Sequence, residues 1–273
     1  ADRLVGEFYQ LDMEMAFADQ DDIMAVAEEV YPAFFKEFGN RNVTEGHFRK
    51  IPYNESMLRY GTDKPDLTNP LEIIDVSAVF KETEFRPFRD SIVRGIKVDD
   101  IANKPNSWFN ELVDYAKSID MPGIGYISVM EDGSLKGPID KFLTEEDRKA
   151  LFEIADLKIG SVLFFIADKR KDVVNKNAGL IRTELGRKLD IIDKTRFEFC
   201  FITDMPMYEI SEITGKLDFM HNPFSMPRGG MEALEKEDPL NIYADQFDVV
   251  CNGVELVSGA VRNNRPEVLL KAF

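Results

Sequence analysis

Apolar and polar positions recur with two different periods along this chain, and the changes between them mark its parts. Residues 7–17 alternate with period 2, the spacing of a strand. One face carries Phe8, Gln10, Asp12 and Glu14; the other carries Tyr9, Leu11, Met13 and Met15, which predicts a strand with its second face on a core. The period then lengthens. Ile23, Val26, Ala27, Val30, Phe34 and Phe38 fall near helical spacing, predicting an amphipathic helix over 20–38 that Pro32 should kink. Residues 59–70 hold Gly61, Pro65, Pro70 and mixed charge, and read as a loop and a boundary.

The stretch from about 71 to 193 has its own rhythm. Its pattern predicts a helix at 107–118, a strand at 123–129, a tight turn at Asp132-Gly133 and a helix at 141–157. A buried strand at 161–167 and a helix at about 171–188, closed near Gly186, follow. That is enough for a separate α+β unit. From 196 onward strands return, at 197–202, at 247–256 and from 259 to 262, with a turn at Val257-Ser258-Gly259. The chain therefore reads β, inserted α+β, then β again, and has no internal repeat.

Composition narrows the class. With 273 residues, 44% hydrophobic and 31% charged, the balance is that of a soluble folded protein. No run approaches the roughly 20 apolar residues of a membrane helix. The start, Ala1-Asp2-Arg3-Leu4, shows neither a signal peptide nor an initiator Met, and reads as processed or cut. The net charge of −16 opposes nucleic acid at long range, so an RNA partner would need a local basic patch. Lys169-Arg170-Lys171 is the densest, and its ordinary reading is a solvated loop. Cys200 and Cys251 sit in apolar, strand-like runs and are expected to be reduced core thiols, as suits a cytosolic protein. His47 and His221 show no ligand spacing, which excludes an ordinary zinc site. His47 is expected at the surface.

Three places hold candidate chemistry. Asp12 and Glu14 share a strand face and repel unless a cation or an amine lies over them; a solvated outer face is the ordinary alternative. Near the C-terminus Asp248, Val250 and Asn252 alternate with Val249 and Cys251, Glu255 follows Gly253, and Arg262 comes next. Acids with a nearby Arg suit magnesium and an anion together, although charged rims of an edge hairpin look the same. His221 lies in the loop Met220-His221-Asn222-Pro223-Phe224-Ser225-Met226-Pro227, where a lone His is more often structural.

These residues also carry a resemblance. Ala1-Asp2-Arg3 followed by Gly6-Glu7-Phe8-Tyr9-Gln10-Leu11-Asp12-Met13-Glu14-Met15-Ala16-Phe17 resembles the second half of motif 2 of bacterial-type aspartyl-tRNA synthetases, which are class II enzymes. Arg59-Tyr60-Gly61-Thr62-Asp63-Lys64-Pro65-Asp66-Leu67 resembles a signature of that family. Residues 71–193 resemble its insertion domain. The stretch from Ile202 to Glu209, then His221-Asn222-Pro223-Phe224, then 247–256 and Arg262 follow in the family's order. The resemblance covers the whole chain and implies an α+β fold. Residues 1–70 and 194–273 would form parts of an antiparallel catalytic sheet with flanking helices, interrupted by an insertion domain at 71–193.

It also implies a function. Aspartate and ATP would form aspartyl-adenylate, and the aspartyl group would pass to the 3′ end of a tRNA. Phe8 would stack on adenine, Gln10 and Asp12 would meet the substrate's ammonium, and Asp248 and Glu255 would hold Mg2+ against the ATP phosphates. Arg262, with His221 beside it, would grip the side-chain carboxylate of aspartate, which also argues against a relative specific for asparagine. The parent is expected to be a cytoplasmic homodimer. Motif 1, the start of motif 2, motif 3 and the anticodon-binding barrel are missing, so the piece alone is expected to be inactive. A non-catalytic tRNA- or protein-binding module derived from the synthetase is the alternative.

Overall fold

Asp19 fixes where the first helix begins. Its carboxylate accepts from the backbone N–H groups of Asp21 and Asp22, and the Asp22 carboxylate accepts from the Asp19 N–H. This reciprocal cap satisfies N–H groups that a helix start leaves unpaired. Helix α1 (Gln20–Phe38) then runs on through Pro32. The computed structural model describes residues 10–211 and 213–273.

Nine strands form the two larger sheets: β1 (Arg49–Pro52), β2 (Ile73–Asp75), β3 (Ile92–Val98), β4 (Gly125–Val129), β5 (Leu135–Lys136), β6 (Val162–Asp168), β7 (Phe199–Thr203), β8 (Gln246–Cys251) and β9 (Val254–Ala260). The four-stranded sheet has the order β9-β8-β7-β1, antiparallel except for β1, which runs parallel to β7. Alternation gives it two apolar faces. Phe199, Phe201, Phe247, Val249 and Cys251 pack under α1, against Met24, Ala27, Tyr31 and Phe35. Cys200, Ile202 and Val250 line the other face with Ile51 and Tyr60, beneath α2 (Tyr53–Arg59) and the loop that follows it. Both thiols are free and buried, and burial pushes each pKa up to about 12.

The five-stranded sheet is antiparallel throughout, in the order β2-β3-β6-β4-β5. Helices α3 (Asn106–Ser118) and α5 (Lys171–Lys188) cover one face, where Leu112, Ile181 and Leu185 meet Ile96 and Phe164. Helix α4 (Glu145–Ile154) covers the other, with Leu151 against Val93, Ile127 and Phe165. No helix among the described residues is long and apolar enough to cross a membrane.

Several expectations need correction. Residues 10–17 form no strand, and Leu11 (88% exposed), Met13 and Met15 face outward instead of into a core. A strand is a pairing, and no described strand pairs with this segment. The expected row of α1 is buried only in the first half of the helix, where Ile23 and Ala27 pack on the sheet; further on Val30, Phe34 and Phe38 are exposed, because the Phe35 ring meets the Phe197 and Phe199 rings edge-on and turns the other stripe inward. Thr144 caps α4, so the predicted helix at 141–157 begins later, after a 3-10 turn at Asp140–Phe142. Gly186 lies inside α5, where a missing side chain admits Asn69. Strand β3 escaped prediction because Arg94 and Lys97 interrupt its apolar run.

The two sheets meet along α5. Gly61, at φ +70°, lies so close to this helix that a Cβ would stand 2.3 Å from the Asn175 carbonyl and 2.5 Å from the Gly179 nitrogen. One turn further on, Arg182 is 2% exposed. Its guanidinium donates to the carbonyls of Leu71 (2.6 Å), Asn69 (2.8 Å) and Asp66 (2.9 Å) and lies 5.0 Å over the Tyr60 ring. Burial brings its pKa down to about 10, which leaves it charged at neutral pH.

A segment of 59–193 should therefore melt cooperatively and at a higher temperature than one of 71–193, which lacks two of these three acceptors. Hydrogen bonds to charged groups contribute roughly 1.5–3 kcal/mol each. With two such bonds lost, the gap should be on the order of 10–20 °C for a unit of this size, read by calorimetry. Equal melting temperatures would count against the Arg182 contacts as a source of stability.

Candidate functional site

Asn252 and Gly253, at φ +47° and +81°, reverse the chain between β8 and β9. Asn-Gly is the dipeptide that a two-residue hairpin turn favours. The turn is here and not at Val257-Ser258-Gly259, which lies within β9. Across this hairpin Asp248 lies opposite Ser258, and Val250 opposite Glu255. Glu255 and Ser258 are three residues apart, so plain alternation would send them to opposite faces. A register shift between Val249 and Val250 leaves Leu256 without a partner and returns both to the face of Asp248.

The loop after α2 lies over that face. Lys64 Nζ is 2.6 Å from Asp63 and 3.2 Å from Glu255. Asp248 is 2% exposed, and its pKa is pushed up from an ordinary 3.8 to about 7, first by burial and then by the Glu255 carboxylate. A hydrogen bond from Ser258 and the Lys64 charge act in the opposite direction. Burial works against the Lys64 charge too, but Asp63 and Glu255 outweigh it and its pKa rises.

His221 approaches from the other side. Its ring meets Tyr53 edge-on, with centroids 6.5 Å apart. Burial lowers its pKa, so the ring is neutral at pH 7; Asp63 and Glu255 pull the other way. Its Nε2 is buried and has no hydrogen-bond partner among the described residues. The Tyr53 phenol is pushed up to about 12, by burial first and then by Asp63 and Glu209. The carboxylates of Asp63, Glu255 and Asp248 thus lie within electrostatic reach of the Lys64 ammonium, a field that favours a cationic or metal-bearing ligand.

Arg262 stands just beyond β9. Its backbone bridges to Ser225, while Asn263 N donates to Phe224 O and Met226 N to Val261 O. This ties the strand end to the loop that carries His221. The Arg262 side chain is exposed and has no ion pair among the described residues. Gln10 and Asp12 do not join the cluster: Gln10 Nε2 donates to Asp12 Oδ1 at 2.7 Å, and both are exposed. Phe8 lies outside the described residues. His47 is exposed, as expected, against Glu28. Arg170 is solvated, and the 169–171 cluster gains no further support.

Asp248 and Glu255 suit a hard divalent cation. The Glu255 charge raises the cost of ionising Asp248, and a bound cation would offset that cost. No group of three or more His, Cys, Asp or Glu among the described residues gathers for a metal. A pair completed by phosphate oxygens and water is the usual protein share of a magnesium site.

A family model described as tRNA synthetases class II (D, K and N) matches residues 1–273. The chain belongs to this family. Similar proteins include an aspartate–tRNA(Asp/Asn) ligase of Rickettsia bellii, 49% identical over 282 residues, and an aspartate–tRNA ligase of Streptomyces coelicolor, 49% identical over 273. Both alignments cover the whole of this chain but only 47% and 46% of the relative. The chain thus spans about half the length of the curated relatives it matches. Within this class II synthetase chain, Tyr53, Asp63, Lys64 and Glu209 were not singled out by sequence reasoning. Asp63 and Lys64 carried only their membership of the motif at 59–67, Glu209 that of the motif at 202–209, and Tyr53 no signal, since neither spacing nor periodicity predicts which side chains a loop brings to a sheet.

The Asp248 shift makes stability depend on pH. Above the unfolded pKa and below about 7 the folded chain holds one more proton than the unfolded chain, so stability falls as pH rises through that window. The slope is at most about 1.4 kcal/mol per pH unit. Asp248→Asn removes it, so its stability relative to wild type should rise by about 2–3 kcal/mol between pH 5 and pH 7.5. Urea unfolding at both pH values checks this. A gap independent of pH would return Asp248 to the ordinary carboxylate range.

Proposed function

We propose that this chain is a catalytic portion of an aspartate–tRNA ligase. The observation that carries the reading is the shared face of Asp248 and Glu255, beside Lys64 and His221, in a chain that the class II family matches from end to end. The two relatives differ in the tRNAs that their names give, but both names contain aspartate. Residues 1–70 and 194–273 would supply the catalytic sheet, and 71–193 the insertion domain. The whole protein would act in the cytoplasm as a homodimer.

In this reading the aspartate carboxylate attacks the α-phosphorus of ATP and pyrophosphate leaves. The tRNA 3′-hydroxyl then attacks the aspartyl carbonyl and AMP leaves. Phe8 holds adenine by stacking, worth about 1–3 kcal/mol. Gln10 and Asp12, which are exposed and bonded to each other, would take the ammonium of aspartate. Arg262 offers its planar fork to the side-chain carboxylate, which an amide cannot match. His221, neutral and with an unpaired buried Nε2, adds a polar contact without adding charge. Asp248 and Glu255 would hold Mg2+, which when bound offsets negative charge on the pyrophosphate. The chain by itself should be inactive, because it spans only about half the length of its relatives and such catalysis needs all its parts positioned together.

The full-length protein should catalyse pyrophosphate exchange that depends on aspartate and not on asparagine. Bound aspartate would cover the exposed guanidinium, so Arg262→Ala should lower the efficiency for aspartate by about two to three decades, the roughly 3–5 kcal/mol of unpairing a buried charge. Arg262→Lys should lose less and leave ATP kinetics unchanged. Normal aspartate KM in Arg262→Ala would refute the assignment, and tRNA binding without exchange in the wild type would favour the non-catalytic reading. A second expectation concerns residues 1–273 alone: no exchange at high protein concentration. Clear aspartate-dependent exchange there would show that the rest of the relatives' length is dispensable for activation.

A further inference from the structure

Asp63 and Lys64 belong to a loop that no regular pairing holds in place. Thr62 O accepts from Ser56 Oγ at 2.7 Å, and Lys64 N donates to Thr62 Oγ1 at 3.1 Å. Asp66 Oδ1 accepts from Thr68 N and Thr68 Oγ1. These contacts shape the loop but do not dock it. Leu67 packs on the four-stranded core, Asp66 lies beside the Gly253 turn and Asp193 N donates to Thr68 O; the contacts on the loop's other side come from α5, on the other sheet. Arg182 engages the carbonyls of Asp66, Asn69 and Leu71, and Asn69 Nδ2 donates back to the Arg182 carbonyl at 3.1 Å. Gly179 and Gly61 meet backbone to backbone, so that a Cβ on Gly179 would stand 2.7 Å from the Gly61 carbonyl.

Asp66 is two residues from Lys64, whose ammonium joins Asp63 to Glu255. A shift of the Asp66 carbonyl therefore carries Lys64 with it. We propose that Arg182 is a positioning residue: it holds the loop so that Asp63 and Lys64 face Glu255 and Asp248. The five-stranded unit thereby shapes the active site without contributing a side chain to it. The effect on rate rests on the aspartate-ligase reading; the effect on loop geometry does not.

Two variants loosen the same loop from different contacts. Arg182→Lys keeps a charge but offers a point donor where three carbonyls need a fork. Gly179→Ala pushes Gly61 off the helix. In the full-length protein, Lys64 should react faster with an amine-acylating reagent in both folded variants than in wild type, read by mass spectrometry. Its side chain is only 23% exposed and ion-paired on both sides, which protects it. Aspartate-dependent exchange should fall by about tenfold to a hundredfold, the scale at which an ångström of misplacement matters. In a Lys64→Met background, Arg182→Lys should cost far less than it does alone, because the group through which it acts has gone. Losses that multiply independently of Lys64, or wild-type labelling in both folded variants, would overturn the inference. An inactive wild type would refute the functional reading; an active wild type with fully active Arg182→Lys and Gly179→Ala would refute only this one.

Discussion

One buried guanidinium satisfies three backbone carbonyls, and the geometry of the site depends on it. A loop pressed between two sheets carries peptide groups that water cannot reach and that no ladder pairs. Arg182 resolves this with its fork of donors, and the face of Tyr60 receives its charge. Without such partners an arginine that is 2% exposed would be costly to bury. Gly61 and Gly179 let the two backbones come close enough for the contacts to form. The five-stranded sheet and its helices are thus a buttress for the loop that covers the four-stranded sheet.

On that second sheet the governing effect is repulsion between acids. Asp248 and Glu255 share a face only because one unpaired residue in β9 corrects the alternation. Their proximity, together with burial, keeps Asp248 near its midpoint at neutral pH. Lys64 offsets part of the negative charge, and it reaches Glu255 only while its loop is docked. The neutral His221 and the raised Tyr53 phenol fit the same picture of a half-buried, negatively charged cleft.

Sequence periodicity captured what depends on local pattern. Helix α1 spans the predicted 20–38, and α3 and α5 begin within a residue of expectation. The α+β character and the return of strands after the middle segment were equally legible. Where a partner decides the outcome, pattern was insufficient. Residues 10–17 alternate like a strand but lack a described neighbour, and the two apolar stripes of α1 compete until the Phe197 and Phe199 rings select one. Asn252-Gly253 was a readable turn signal that the longer apolar run obscured. Asp248, Glu255 and His221 were identified as candidates, yet the bulge that unites the two acids has no sequence signature. Arg182 looked like any polar position on a helix, because its acceptors lie more than a hundred residues away in the chain.

The most direct test of this account is the titration of Asp248 itself. Carboxyl carbon NMR, with the Asp248 signal assigned by Asp248→Asn, follows it in the wild type and in Lys64→Met. The account predicts a midpoint near 7 in the wild type and a higher one in Lys64→Met, where an opposing charge has been removed. A midpoint in the ordinary aspartate range, or one that Lys64→Met leaves unchanged, would contradict the placement of the loop over the acidic face.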